Sequence, residues 1–157
     1  MLENNHTIII DGHKRNVHVP AVYGLFIKDN KILLTRRFNT GYQDGKYMVP
    51  SGHVEVGETY SQALIREVKE EVGVRLNDNE YSFVHIMNRL SGTKSQRVDV
   101  FFKVTSWESE PYNNELEKCD EIGWYDLDNL PENTVEYLVY ALDCIKNNIT
   151  YSEFGWN

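Results

Sequence analysis

A chain of 157 residues, 41% hydrophobic and with a formal charge of −8, is long enough for one domain with a sizeable core and too short for two comfortable ones. Its basic residues never cluster beyond the pair Arg36-Arg37, which excludes a nonspecific grip on duplex nucleic acid, since that needs a basic face to displace counterions. An acidic protein can still handle small phosphate-bearing ligands, provided that cations mediate.

The opening MLENNHTIIIDG holds a three-residue apolar run and no signal-peptide core, and no later stretch approaches a membrane span. Cys119 and Cys144 are far apart and form no CxxC pair, which speaks against a structural zinc or a disulfide scaffold. The expectation is a cytoplasmic protein with no membrane partner, built as one domain over residues 1–157.

TIIID, GHKR and NVHV read as an N-terminal hairpin extension over residues 1–18, turned at Asp11-Gly12. His6, His13 and His18 sit in no metal-ligand motif and are assigned to that hairpin. AVYGLFI and KILLTRR are strand-like runs joined by a turn at residues 28–31; residues 38–46 form a turn-rich loop, and YMVP is a short strand ending at Pro50. Thr59 with Gln62 fits a capping box, so a helix is expected from Thr59 to about Val72, closed by a left-handed Gly73. SFVHIMNRL and VDVFFKVTSW are further strand-like segments separated by the polar SGTKSQR. Residues 108–121 read as an acidic loop, GWYDL as a short strand, and Pro131 as the opening of a second helix through Val135, Leu138, Val139 and Leu142. The tail YSEFGWN has no usable period. This order predicts an α+β fold, a mixed sheet with helices on its faces.

The helix after Thr59 is unusual in its charge. At about 100° per residue, Leu64, Ile65, Val68 and Val72 form an apolar stripe, while Ala63, Glu67, Glu70 and Glu71 share an adjoining arc. Like charges at that spacing repel and weaken a helix. Water can solvate such a face, or a cation can sit among the carboxylates. Gly52 and Gly57 permit a tight loop that brings backbone carbonyls near the helix start, and Glu58 adds a fourth carboxylate. Hard divalent cations favour such an oxygen-rich set, and Mg²⁺ bridges protein carboxylates to substrate phosphates.

GHVEVGETYSQALIREVKEEVGV, residues 52–74, resembles the Nudix box at Gly52, Glu58, Arg66, Glu67, Val68, Glu70, Glu71, Gly73 and Val74. From average residue usage, a chance match at one site has a probability on the order of 10⁻⁹. Arg36-Arg37, Pro50, and Trp124 followed by Leu127 and Leu130-Pro131 extend the likeness from about Val19 to the final helix. Many relatives have Gly-Gly where this chain has Ser51-Gly52, so the loop backbone at Ser51 is expected to differ.

The resemblance to Nudix (MutT-like) hydrolases implies an α/β/α sandwich around a mixed sheet. It also implies a pyrophosphohydrolase that cleaves the diphosphate linkage of a small nucleotide with Mg²⁺ or Mn²⁺. By position, Glu67, Glu70 and Glu71 become carboxylate ligands and the Gly52 carbonyl a further one. Arg66 orients Glu67, and Glu58 supports the helix start or completes a metal shell. Two candidates remain for the base, Glu67 or a carboxylate among Glu115, Glu117, Asp120 and Glu121, of which Glu121 is preferred for its closeness to the Trp124 strand. Arg36 and Arg37 are candidate phosphate contacts, with surface charge at a strand end the plainer reading. Tyr42, Tyr47, Phe83 and His85 have the chemistry to stack on a base, although strand aromatics more often serve a core. The alternative reading is a nucleotide-binding Nudix-fold module without turnover. The nucleotide is not specified, and a homodimer is left open.

Overall fold

The computed structural model describes residues 7–156; residues 1–6, including His6 and the start of the N-terminal extension, and Asn157 lie outside it. Two short strands, β1 (Thr7–Ile10) and β2 (His13–Asn16), pair antiparallel. Their turn residues Asp11 and Gly12 take φ of 51° and 77°, the positive values that a two-residue hairpin demands.

β3 (Val19–Lys28) is the spine. It runs parallel to β8 (Gln96–Val104) along one edge. On the other edge it pairs antiparallel with β6 (Ser51–His53) at residues 21–23, and with β4 (Lys31–Arg37) at residues 27–28. β5 (Tyr47–Met48) and β9 (Cys119–Asp126) both pair with β4, while β7 (Tyr81–Leu90) pairs antiparallel with β8. The sheet is mixed, as expected.

Alternation along β3 sorts the core into two layers. Val22 and Phe26 face Ala63, Leu64, Val68 and Val72 of α1 (Tyr60–Val72). Ala21, Tyr23 and Leu25 face Tyr137, Leu138 and Ala141 of α2 (Glu136–Lys146). A helix thus covers each face, and the α+β sandwich holds. α1 carries the expected caps: Gln62 N–H donates to Thr59 Oγ1 at 3.2 Å, Thr59 N–H donates to Gln62 Oε1 at 2.8 Å, and Gly73 is left-handed with φ of 71°. Ala63 is wholly buried against the sheet, so it is a packing residue and not a spacer among the carboxylates.

Four local readings change. α2 starts at Glu136, not after Pro131, because the preceding backbone is already engaged: Tyr47 N–H donates to Asn133 O, and Val135 N–H to Tyr47 O, both at 3.0 Å. Its buried face is Tyr137, Leu138, Ala141 and Cys144, leaving Val139 exposed. The tail forms β10 (Tyr151–Phe154), parallel to β7. Buried His85 fixes it, with Nδ1–H donating to Ile149 O at 2.8 Å and Nε2 bonded to Ser152 Oγ at 2.7 Å. Finally, Asp120 and Glu121 belong to β9 instead of a loop. Cys119 and Cys144 are buried free thiols. No helix among the described residues is long and apolar enough to cross a membrane.

α1 lies directly on β3 at Gly24, where an added Cβ would sit 3.1 Å from Val68 Cγ2 and 3.3 Å from Leu64 Cδ1. Gly24→Val should therefore lower stability to urea by about 1–3 kcal/mol through overpacking. Parent-like stability would contradict this helix–sheet contact.

Candidate active site

The site grows out of the α1 start. Gly57 takes a φ of 82° and turns the chain between Glu55 and Glu58, where the Glu55 N–H donates to Glu58 Oε2 at 3.0 Å. Arg66, two turns into the helix, reaches back to this loop. Its Nε and Nη2 donate to the two Glu58 oxygens at 2.8 and 2.9 Å, and Nη2 also donates to the His53 carbonyl at 3.0 Å. Nη1 donates to Glu67 Oε1 at 2.7 Å and lies 3.4 Å from Glu70 Oε2. Arg66 thus touches three of the four box carboxylates.

Glu71 is satisfied differently, accepting the Ser51 N–H at 3.0 Å. On the Ser51 side that contact uses the backbone N–H alone, so it does not depend on the side chain there. A Cβ at Gly52 would overlap the Glu67 carboxylate, so a side chain there would push that carboxylate out of its place beside Arg66. Strand β6 and helix α1 therefore bring a bare backbone against two carboxylates.

Glu67, Glu70 and Glu71 line one wall of an open cleft of about 620 Å³ together with Gly52. Burial raises the Glu67 carboxyl above its ordinary value, Arg66 opposing, and raises that of Glu71 much further, with Glu67 adding repulsion. Glu58 is the opposite case, held at about 2 chiefly by its hydrogen bonds from Arg66. Glu58 is absent from the cleft lining and ties the loop to the helix. Among the described residues, no three His, Cys, Asp or Glu side chains form a ready-made metal cage. The donor set still fits Mg²⁺, which keeps several waters and takes only one or two protein carboxylates besides substrate phosphates.

The remaining expected residues divide. Glu121 does not line the cleft; its carboxylate accepts the Tyr47 and Tyr125 hydroxyls at 2.6 and 2.5 Å and pairs with Arg36 at 3.1 Å. Its place on β9 opposite Arg36 explains this. Glu115, one of the carboxylates passed over, does line the cleft. The chain before it caps the end of α1: Tyr112 N–H donates to Val72 O, and Asn114 N–H to Glu71 O at 3.0 Å. Lys118 Nζ then holds Glu115 Oε1 at 2.9 Å.

Arg36 and Arg37 both border the cleft, but their donors are engaged. Arg36 forms a fork with Asp120 at 2.8 and 3.1 Å, and Arg37 donates to Tyr42 O at 2.7 Å and Thr40 Oγ1 at 3.2 Å. Tyr42 lines the cleft; Tyr47 and His85 are core, and Phe83 is exposed away from the cleft lining. Sequence reasoning missed Arg97, Tyr23 and Tyr137, which also line the cleft. Arg97 carried no signal beyond a lone basic residue in a polar segment. His53, beside it, has a lowered pKa, first from burial and then from Arg97.

Residues 17–142 match the family model for the NUDIX domain. Over 54 residues the chain is 50% identical to the ADP-ribose pyrophosphatase of Methanocaldococcus jannaschii, covering 34% of this chain and 31% of that protein. It is 32% identical over 95 residues to the 8-oxo-dGTP diphosphatase of Escherichia coli, covering 56% and 66%. The matches span about a third of the length of the first curated relatives. A solved MutT NUDIX hydrolase from Burkholderia pseudomallei shares the fold at a TM-score of 0.74 and 22% identity, covering 82% of this chain and 98% of that one. With more than half its length matched by the model and the box helix displayed on this sheet, the chain belongs to the Nudix hydrolase family.

Proposed function

We propose that the protein is a divalent-metal-dependent pyrophosphohydrolase that cleaves the diphosphate linkage of a small nucleotide by water attack. The observation that carries this reading is the convergence of Glu67, Glu70, Glu71 and Glu115 on one cleft beside the bare backbone of Gly52. The names of the relatives, an ADP-ribose pyrophosphatase and an 8-oxo-dGTP diphosphatase, support the substrate class and leave the nucleotide open. Buried free thiols fit a reducing, cytoplasmic setting.

Carboxylates from among Glu67, Glu70 and Glu71, with the Gly52 carbonyl, would hold Mg²⁺ or Mn²⁺. Such an ion neutralises phosphoryl oxygens and acidifies water. Arg66 positions Glu67 and keeps Glu70 beside it. Glu67, held by Arg66, takes the proton from the attacking water. Glu115 stands across the cleft as the second candidate, replacing Glu121. The alternative is a nucleotide-binding module without turnover. Mg²⁺-dependent release of phosphate or pyrophosphate from a nucleotide panel separates the two.

Glu71→Gln and Glu70→Gln should each abolish most of the Mg²⁺-induced rise in Tm and nearly all turnover while keeping the fold. Glu115→Gln should stay within a few-fold of the parent rate; a loss of roughly 10²–10⁴-fold with metal stabilisation intact would move the base role to Glu115. Full metal stabilisation in both Glu70→Gln and Glu71→Gln would refute the site.

The raised carboxyls also fix a pH dependence. Above the ordinary carboxyl value of 4.5, native Glu67 and Glu71 hold protons that the unfolded chain has released. Metal-free stability therefore declines as pH rises through the raised values. The Glu58 contribution, whose carboxyl is held at about 2 against an ordinary 4.5, is already fully present there. Urea unfolding of metal-free protein from about pH 5 to 8 should show a shallower decline for Glu71→Gln than for the parent. Equal slopes would contradict the burial of this carboxylate.

A further inference from the structure

Where β8 borders the cleft, the sheet holds a charge that its neighbours do not balance. Arg97 and Asp99 lie on β8, Asp99 in register with Ala21 of β3, and Ala21 with His53 of β6. Ala21 is too small to separate the rows on either side of it, so Arg97 Nη2 reaches His53 and donates to Nε2 at 2.7 Å. Asp99 is fully buried. Its carboxylate is bound by buried Arg89 and by the Tyr23 hydroxyl at 3.1 Å. The Arg89 guanidinium in turn lies 3.8 Å from the Tyr137 ring centroid.

Arg97 is the second guanidinium for this one carboxylate. Its Nε stands 3.6 Å from Asp99 Oδ1, and the buried Nε has no hydrogen-bond partner among the described residues. The buried Nε is closed to a cleft ligand, so the partly exposed outer end of the guanidinium is what this surplus cation offers to an anion. Arg36 differs here, since Asp120 and Glu121 occupy all three of its nitrogens, while Arg37 is held through Nε and Nη2 by a carbonyl and a hydroxyl. Arg97 also borders the cleft beside the hydroxyl-bearing Ser91 and Thr93.

We propose that Arg97 is the cleft's receptor for a phosphoryl group of a diphosphate-bearing ligand. The assignment rests on the metal-dependent diphosphate reading above. A planar guanidinium suits a phosphoryl oxygen pair, and the −8 charge of the chain gives an anion little other welcome.

The test is calorimetric binding of methylenediphosphonate, an uncleavable diphosphate, with and without Mg²⁺. Arg97→Gln should weaken binding roughly 10- to 100-fold while the Mg²⁺-induced rise in Tm persists. Arg97→Lys keeps the charge without the fork, should bind between the two, and serves if Arg97→Gln does not fold. Parent-like affinity in whichever variant folds overturns the assignment, and lowered stability with unchanged affinity makes Arg97 only a brace for Asp99. A parent that takes up Mg²⁺ but not the diphosphonate overturns it too. A parent with no Mg²⁺-induced shift defeats the metal-dependent reading instead, and the metal-free series still decides Arg97.

Discussion

Arg66 is where the acidic helix, the loop before it and the edge of the sheet are joined. One guanidinium contacts Glu58, Glu67 and Glu70 and also the His53 carbonyl. Three carboxylates around one cation convert a repulsive array into a held one. The joint also spans sequence, since Glu58 lies in the loop and His53 ends β6. A lysine has no planar fork to serve these directions at once. Glu71 is the carboxylate that Arg66 does not reach, and burial raises it furthest. Cation deficit is concentrated there, deep in the cleft.

The backbone sets where that helix can lie. Gly24 lets α1 rest on β3, and Gly52 leaves room for the Glu67 carboxylate. The same helix is closed at its other end by residues 112–114, which deliver Glu115 to the cleft. A segment that caps carbonyls thus also builds a wall, so the position of Glu115 is tied to the end of α1. Elsewhere in the lining, the Asp99 cluster anchors Arg97 through β8 and β3. Carboxylates from α1 and a guanidinium from β8 thus line the same cleft.

What could be read in advance was local. The capping box, the glycine stop and the spacing of four glutamates lie within one short stretch, so α1 was legible to its termini. Alternation identified the main strands for the same reason. The misreadings came from partners distant in sequence. The tail is a strand because His85 and β7 receive it, and α2 starts late because β5 captures residues 133–135 first. Glu121 looked free in an acidic segment, but pairing of β9 with β4 puts it among two tyrosines and Arg36. Arg97 had no motif to announce it, since its meaning depends on Asp99 already being matched by Arg89.

On the proposed reading, the crowded glutamates hold a divalent cation. Anomalous diffraction from crystals grown with Mn²⁺ tests it most directly. The account predicts a Mn²⁺ peak among Glu67, Glu70, Glu71 and the Gly52 carbonyl, with the carboxylates turned towards it. A peak elsewhere, or none at saturating Mn²⁺ with Glu67 and Glu70 still bound only by Arg66, would contradict it.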